Sequence, residues 1–218
     1  MTSGFKTLLL LASFALMALA APASTEISID AHINQELETG NFPEPTWKVQ
    51  VHPDGPLLTL TGTIEKVHAQ LREINPNYDE DWKDVPESDD FADFSPSTEL
   101  HVLKSYNGPK ALSCSKALES TANRKRIGEG IDYLRKHKGQ VTVTTYPTYR
   151  CSRVSCSYKS AIVWCNESKV DLTLGSTKPI ADAAFYVLNN CNHPNKDQVK
   201  GHVVYPGAWR TILQGADC

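Results

Sequence analysis

Cys151-Ser-Arg-Val-Ser-Cys156-Ser-Tyr-Lys-Ser-Ala-Ile-Val-Trp164-Cys165-Asn166-Glu167 holds three of the chain's six cysteines and its longest run of strand-like alternation. It also holds the chain's one Asn-x-Ser glycosylation sequon, at Asn166. Read as one extended strand, it puts Cys156, Tyr158, Ile162 and Trp164 on one face and Ser157, Lys159, Ala161, Val163 and Cys165 on the other. Cys156 and Cys165 then point opposite ways and each needs a partner elsewhere. The strand becomes the hub of a cross-linked sheet.

Working outward, all six cysteines (Cys114, Cys151, Cys156, Cys165, Cys191 and Cys218) lie in the second half of the chain. Residues 1–20 read as a signal peptide. Lys6 precedes an apolar run from Leu8 to Met17, and Ala18-Leu19-Ala20 supplies the small-x-small cleavage pattern. That run is too short for a membrane span, and no later stretch is long enough, so no transmembrane segment is expected. An even cysteine count on an oxidising export route predicts three disulfides. No Cys-x-x-Cys pair is present, so no metal and no cofactor is expected. The fifteen possible pairings stay open apart from those joining Cys156 to Cys165.

Charge changes sign near the first cysteine. Residues 21–110 carry 6 Lys/Arg against 17 Asp/Glu, and residues 111–218 carry 15 against 8. In the acidic part, Trp47 to Val51 and Leu58 to Thr61 alternate as strands. Thr63 can cap a helix with Ile64, Val67, His68, Leu71 and Ile74 at the 3.6-residue period, ended by Asn75-Pro76. This gives a small strand–strand–helix module at 46–75, preceded by a segment without apolar period and followed by an acidic linker at 79–93. In the basic part, Ser120 or Thr121 can start a helix burying Ile127, Ile131 and Leu134. Ser176 or Thr177 can start another burying Ile180, Ala183, Ala184, Val187, Leu188 and Cys191, with Pro179 in its first turn. Strands are expected near 99–103, 141–144, the hub, 170–174, 202–205 and 209–212. The expected fold is α+β, with two helices packed on a mainly antiparallel sheet, stabilised by disulfides, plus the small N-terminal module. Expected boundaries are 1–20 for the leader, 21–98 for an acidic segment readable as a pro-region, and 99–218 for the cysteine-rich domain.

The block from Arg150 to Glu167 resembles the core of small cysteine-rich proteins secreted by filamentous fungi, among them candidate effectors. So do Ile127-Gly-x-Gly-Ile131-x-Tyr-Leu134, the Ile180-Ala-Asp-Ala helix ending in Asn190-Cys191, and the ending Trp209-x-x-x-Leu-x-Gly-Ala-Asp-Cys218. The layout is similar to fungal killer-toxin-like α/β sandwiches. The resemblance covers roughly residues 114–218. It implies a secreted, virulence- or toxin-like protein that binds a cell-surface component, whether protein, glycan or anionic lipid, and it carries over no catalytic residue; a monomer is expected.

Arg124, Lys125, Arg126, Arg135, Lys136 and Lys138 lie along one predicted helix. With Arg150, Arg153 and Lys159 they form a candidate patch for anionic glycans, phospholipid headgroups or, as the less expected partner, nucleic acid. Arg124-Lys125-Arg126 also reads as a processing site, because three cations in a first turn oppose the helix dipole. Residues 46–94 could act as an intramolecular inhibitor of the patch. The alternative is a small hydrolase or ribonuclease drawing on His101, His137, His193 or His202 with Glu129 or Glu167. Gly-x-Ser-x-Gly and His-Glu-x-x-His are both lacking. Tyr146, Tyr149, Tyr158, Trp164 and Trp209 form either a stacking platform or, as aromatics on strands more commonly do, core. Asn166 is expected to carry a glycan at a solvent-facing turn.

Overall fold

In a computed structural model of the chain, the structure describes residue 33 and residues 35–36, 42–83, 108–114, 120–143, 151–168 and 170–218. The leader, Arg150, and the strand expected near 99–103 lie outside them. So do most of the acidic linker and the aromatics Tyr146 and Tyr149.

The hub is a hairpin. β6 (Cys151–Ser157) and β7 (Ser160–Asn166) pair antiparallel. The chain reverses at Tyr158 and Lys159, whose φ angles of 45° and 59° are those of a two-residue hairpin turn. This corrects the one-strand reading. Reversal sets Cys156 opposite Ala161, and a bulge falls between Arg153 and Ser155. Cys156 therefore faces the same side as Cys165 rather than the opposite one. The two still do not pair. The disulfides are Cys114–Cys191, Cys151–Cys165 and Cys156–Cys218, and no cysteine is free.

β3 (Ala111–Ser113), β10 (Gly201–Tyr205) and β11 (Trp209–Gln214) extend the hairpin into a five-stranded sheet of order β3-β10-β11-β7-β6, every pair antiparallel. β4 (Ala122–Asn123) and β9 (Gln198–Val199) form a short ribbon. A four-stranded sheet of order β2-β1-β5-β8 joins β1 (Thr46–Gln50) and β2 (Leu57–Thr61) to β5 (Gly139–Val143) and β8 (Leu172–Leu174). The helices are α1 (Ile64–Ile74), α2 (Tyr78–Asp81), α3 (Arg124–Lys136) and α4 (Lys178–Asn190). α3 and α4 pack on each other, α3 against β6 and β7, α4 against β10 and β11, and α1 against α3 and β6.

Local chemistry explains the helix ends. Asn123, not Ser120 or Thr121, caps α3, its Oδ1 accepting from the Arg126 amide at 3.2 Å. Thr177 precedes α4 but turns its hydroxyl back onto α3, donating to the carbonyls of Leu134 and His137. It thereby satisfies carbonyls that the end of α3 leaves open. Gly201, with φ at 153°, lies where a Cβ would stand 2.7 Å from the Cys191 sulfur, so β10 passes the Cys114–Cys191 bridge only as glycine.

Two faces of β7 serve two cores. Ile162 and Trp164 join the main core with Ile127, Ile131, Leu134, Ile180 and Val187. Ala161, Val163 and Cys165 join a smaller cluster with Cys151, Cys156 and Ile212, closed by Ile33 and Phe42. The strand–strand–helix module expected at 46–75 is built into the main core. β1 lies between β2 and β5, and Trp47, Val49, Val51, Ile64, Val67, Leu71 and Tyr78 pack with the helices and sheet of the basic half. The expected boundary at 98/99 thus divides no core from another.

Candidate functional site

The basic tract divides into two ends of α3, roughly 20 Å apart for a helix of this length. At its start, Arg124 points back into the protein, donating to the carbonyls of Leu188 at 2.6 Å and Cys191 at 3.4 Å. It so neutralises the negative end of α4. Arg126 pairs with Glu129 at 2.9 Å and lies 3.8 Å over the Tyr158 ring. The dipole penalty read from Arg124-Lys125-Arg126 is thus offset by contacts from other elements. The tract is helical rather than extended, the conformation least open to a processing protease. Arg153 donates to the Asp217 carbonyl. Lys125 and Lys159 are exposed at this end.

At the other end of α3, Arg135, Lys136 and Lys138 line a cleft of about 790 Å³ between α3 and the α1–α2 corner. Across it stand His68 and Arg72 from α1, Tyr78 and Asp79 from α2, and Trp82 and Lys83 just beyond. Glu129, Asp132 and Tyr133 complete the α3 wall. The volume falls within the ~300–1,000 Å³ of small-molecule sites. The start of the expected acidic linker supplies one side of this cleft. Asn75 anchors that corner, its Nδ2 donating to the Val51 carbonyl at 3.1 Å and to Asp81 at 2.8 Å.

Polar groups in the cleft fall into two sets. Asp79 is fully engaged, with Oδ1 2.8 Å from His68 Nε2 and Oδ2 2.9 Å from Arg72. Arg135 pairs with Asp182 at 3.3 Å and lies 4.8 Å over the Phe185 ring, and Lys83 pairs with Glu80. Lys136, Lys138 and Asp132, by contrast, make no ion pair or hydrogen bond among the described residues. Tyr133 exposes its ring, and His68 stands edge-on to it at 5.2 Å. Burial, and then the Asp79 charge, push the Tyr78 phenol up to about 12, so it stays protonated.

The histidines named for catalysis do not meet. His101 lies outside the described residues. His137 is buried against Trp47, its ring centroid 5.3 Å away, and neither ring nitrogen has a partner. His193 accepts from the Asn195 amide in an exposed loop, and His202 lies on β10. Glu129 holds Arg126, and Glu167 holds Arg210. No cluster of three or more metal-ligating side chains occurs among the described residues. Trp164 and Trp209 are core, and Tyr158 is exposed at the hairpin tip. His68 was read as one more position in the apolar stripe of α1. A lone imidazole among Ile64, Val67 and Leu71 was the available signal that this stripe borders a polar site.

Asn166 is not at a solvent-facing turn. It is fully buried; its Nδ2, the atom a glycan would occupy, donates to the Val170 carbonyl at 2.7 Å, and its Oδ1 accepts from the Ser168 amide and hydroxyl. The sequon folds into a side-chain-stabilised turn and does not present its nitrogen.

No helix among the described residues is long and apolar enough to cross a membrane. Comparison with protein-family models, with characterised proteins and with solved structures finds no match.

Proposed function

We propose that this chain is a secreted recognition protein of the effector or toxin-like kind, binding an anionic target in the cleft between α3 and the α1–α2 corner. The observation that carries the reading is the pair Lys136 and Lys138, two cations without a side-chain partner among the described residues, lining a cleft of about 790 Å³. A cation already paired inside the fold has spent its attraction, whereas an unpaired one in a concave, partly dehydrated site focuses its field on an incoming ligand. Three disulfides and the leader-like N-terminus support an extracellular setting. The likeness of residues 114–218 to cysteine-rich fungal proteins supports the effector assignment.

The test uses the full secreted chain and a panel of immobilised polyuronate, sulfated polysaccharide, RNA and phosphatidylserine vesicles. Lys136→Glu with Lys138→Glu should cut retention at least about tenfold, with salt weakening the unmodified chain in parallel. Lys125→Glu with Lys159→Glu, at the far end of α3, should leave it unchanged. Loss only in the second pair would move recognition to the hairpin tip. No loss in either would reject it.

One observation favours a hydrolase instead. His68 faces the cleft with its Nε2 held by Asp79, itself gripped by Arg72, the arrangement that orients a general base. This reading requires turnover of RNA or glycan by the purified chain that His68→Ala abolishes while binding persists.

A further inference from the structure

The cleft's unpaired groups are mixed in sign, and that mixture selects among anions. The geometry points to an acidic oligosaccharide, its sugars bearing free hydroxyls beside each carboxylate, as the ligand of the cleft. The inference rests on the recognition reading above and narrows it. Lys136 and Lys138 supply donors for a carboxylate, while Asp132 on α3, exposed and without a side-chain partner among the described residues, can only accept.

A polyphosphate or heavily sulfated chain is dense in charge and poor in hydroxyl donors, so it would set like charge against Asp132. Each such encounter is unfavourable, more so where the cleft excludes water. A uronate sugar brings free hydroxyl donors for Asp132 beside its single carboxylate, which goes to the lysines. Tyr133 adds an exposed ring on which the apolar face of a pyranose can lie. His68, edge-on to that ring and fixed by Asp79, limits the phenol's movement. The bilayer alternative lacks support on the cleft walls, because the exposed apolar side chain there is the single Tyr133, too little to insert.

Asp132→Asn decides the matter, because its effect has opposite sign for the two ligand classes. Titration of the full chain is followed by tryptophan fluorescence. Trp47, Trp164 and Trp209 are fully buried, which leaves Trp82 at the cleft as the responsive reporter. Oligogalacturonate should bind. Methyl-esterifying its carboxylates should weaken it at least about tenfold, and Asp132→Asn should weaken it by a similar factor, because the amide loses the charge and replaces one of the two acceptor oxygens with a donor. Tyr133→Ala should weaken it too, with an unchanged melting temperature showing that the fold is intact. Tighter binding of RNA or dextran sulfate, strengthened by Asp132→Asn, would overturn the sugar assignment while leaving anion recognition standing. Binding confined to phosphatidylserine vesicles would do the same. Silence toward every probe, with Lys136→Glu and Lys138→Glu also without effect, would overturn both.

Discussion

At His137, burial leaves the imidazole edge-on to Trp47 with neither nitrogen hydrogen-bonded. Burial, and then the field of His68, pull its pKa from 6.5 down to about 3, since a cation there would have neither water nor an acceptor. The sign follows. The unfolded chain takes up the proton near pH 6.5 and the folded chain does not until about pH 3, so acid favours unfolding. The neutral ring's contribution is whole above pH 6.5, is lost progressively as pH falls, and changes no further below about 3. At pH 5 the loss is ~2 kcal/mol, one and a half units at 1.36 kcal/mol each. Denaturant unfolding at pH 7.5 and pH 5 measures it against His137→Phe, which keeps an edge-on ring but does not titrate. The variant should lose about 2 kcal/mol less than the parent over that interval. Equal losses would mean that other groups carry the acid sensitivity. The same residue shows what the chain's spacing conceals. His137 stands one place beyond a basic helix, where it reads as a surface acid or base, and only the strand arriving from residues 46–50 buries it.

Helix α3 and strand β6 meet at one position without a side chain. A Cβ on Gly130 would stand 2.3 Å from Ser155 Oγ and 3.2 Å from Ile162 Cδ1. Ser155 cannot readily yield, because its hydroxyl donates to Glu65 at 2.5 Å while the Cys156 amide donates to the other oxygen of that carboxylate. Gly128, two residues earlier, faces open space. Gly130→Ala should therefore destabilise by ~1–3 kcal/mol through overpacking, outweighing alanine's better helix propensity. Gly128→Ala should stabilise by ~0.5–1 kcal/mol. Denaturation midpoints that move the same way for both would show that the α3–β6 approach is looser than described. Elements with a strong local period were legible from sequence. The buried faces of α3 and α4, the strand–strand–helix order of 46–75, and the opposite-face pattern of Ile162 and Trp164 against Val163 and Cys165 all follow from spacing. The hairpin turn was not, because Tyr158 and Lys159 adopt positive φ without the Asn-Gly or Gly signature that marks such turns. Nor was β1–β5 pairing, whose partners are brought together by the core and by no local preference. The cleft was half legible for the same reason: Lys136 and Lys138 were named from charge spacing, while its other wall depended on that distant pairing.

Across the whole molecule, the described residues of the acidic and basic halves share the main core and the smaller cluster, which bears on whether the first is a removable pro-region. Seven side chains between Trp47 and Tyr78 are buried in the main core, and Ile33 and Phe42 close the second cluster. At ~1.5–3 kcal/mol for each buried large side chain, the seven alone contribute on the order of 10–20 kcal/mol. That equals or exceeds the ~5–15 kcal/mol by which a domain is ordinarily stable. Removing them would also strip β5 of one neighbour and leave the Ser155 hydroxyl and Cys156 amide without Glu65. All six cysteines lie at or beyond 114, so no disulfide ties the two halves. Their union is noncovalent apart from the chain itself, and that makes it measurable. A protease site inserted between residues 84 and 107 and cut after folding should give two pieces that separate in denaturant without reductant. In native buffer the same pieces should travel together, with unchanged near-ultraviolet dichroism. Residues 99–218 expressed alone should yield free thiols and no native dichroism. If the isolated piece instead leaves the nicked complex folded, with three bridges intact, the N-terminal half is dispensable to the fold and its role as a pro-region is restored.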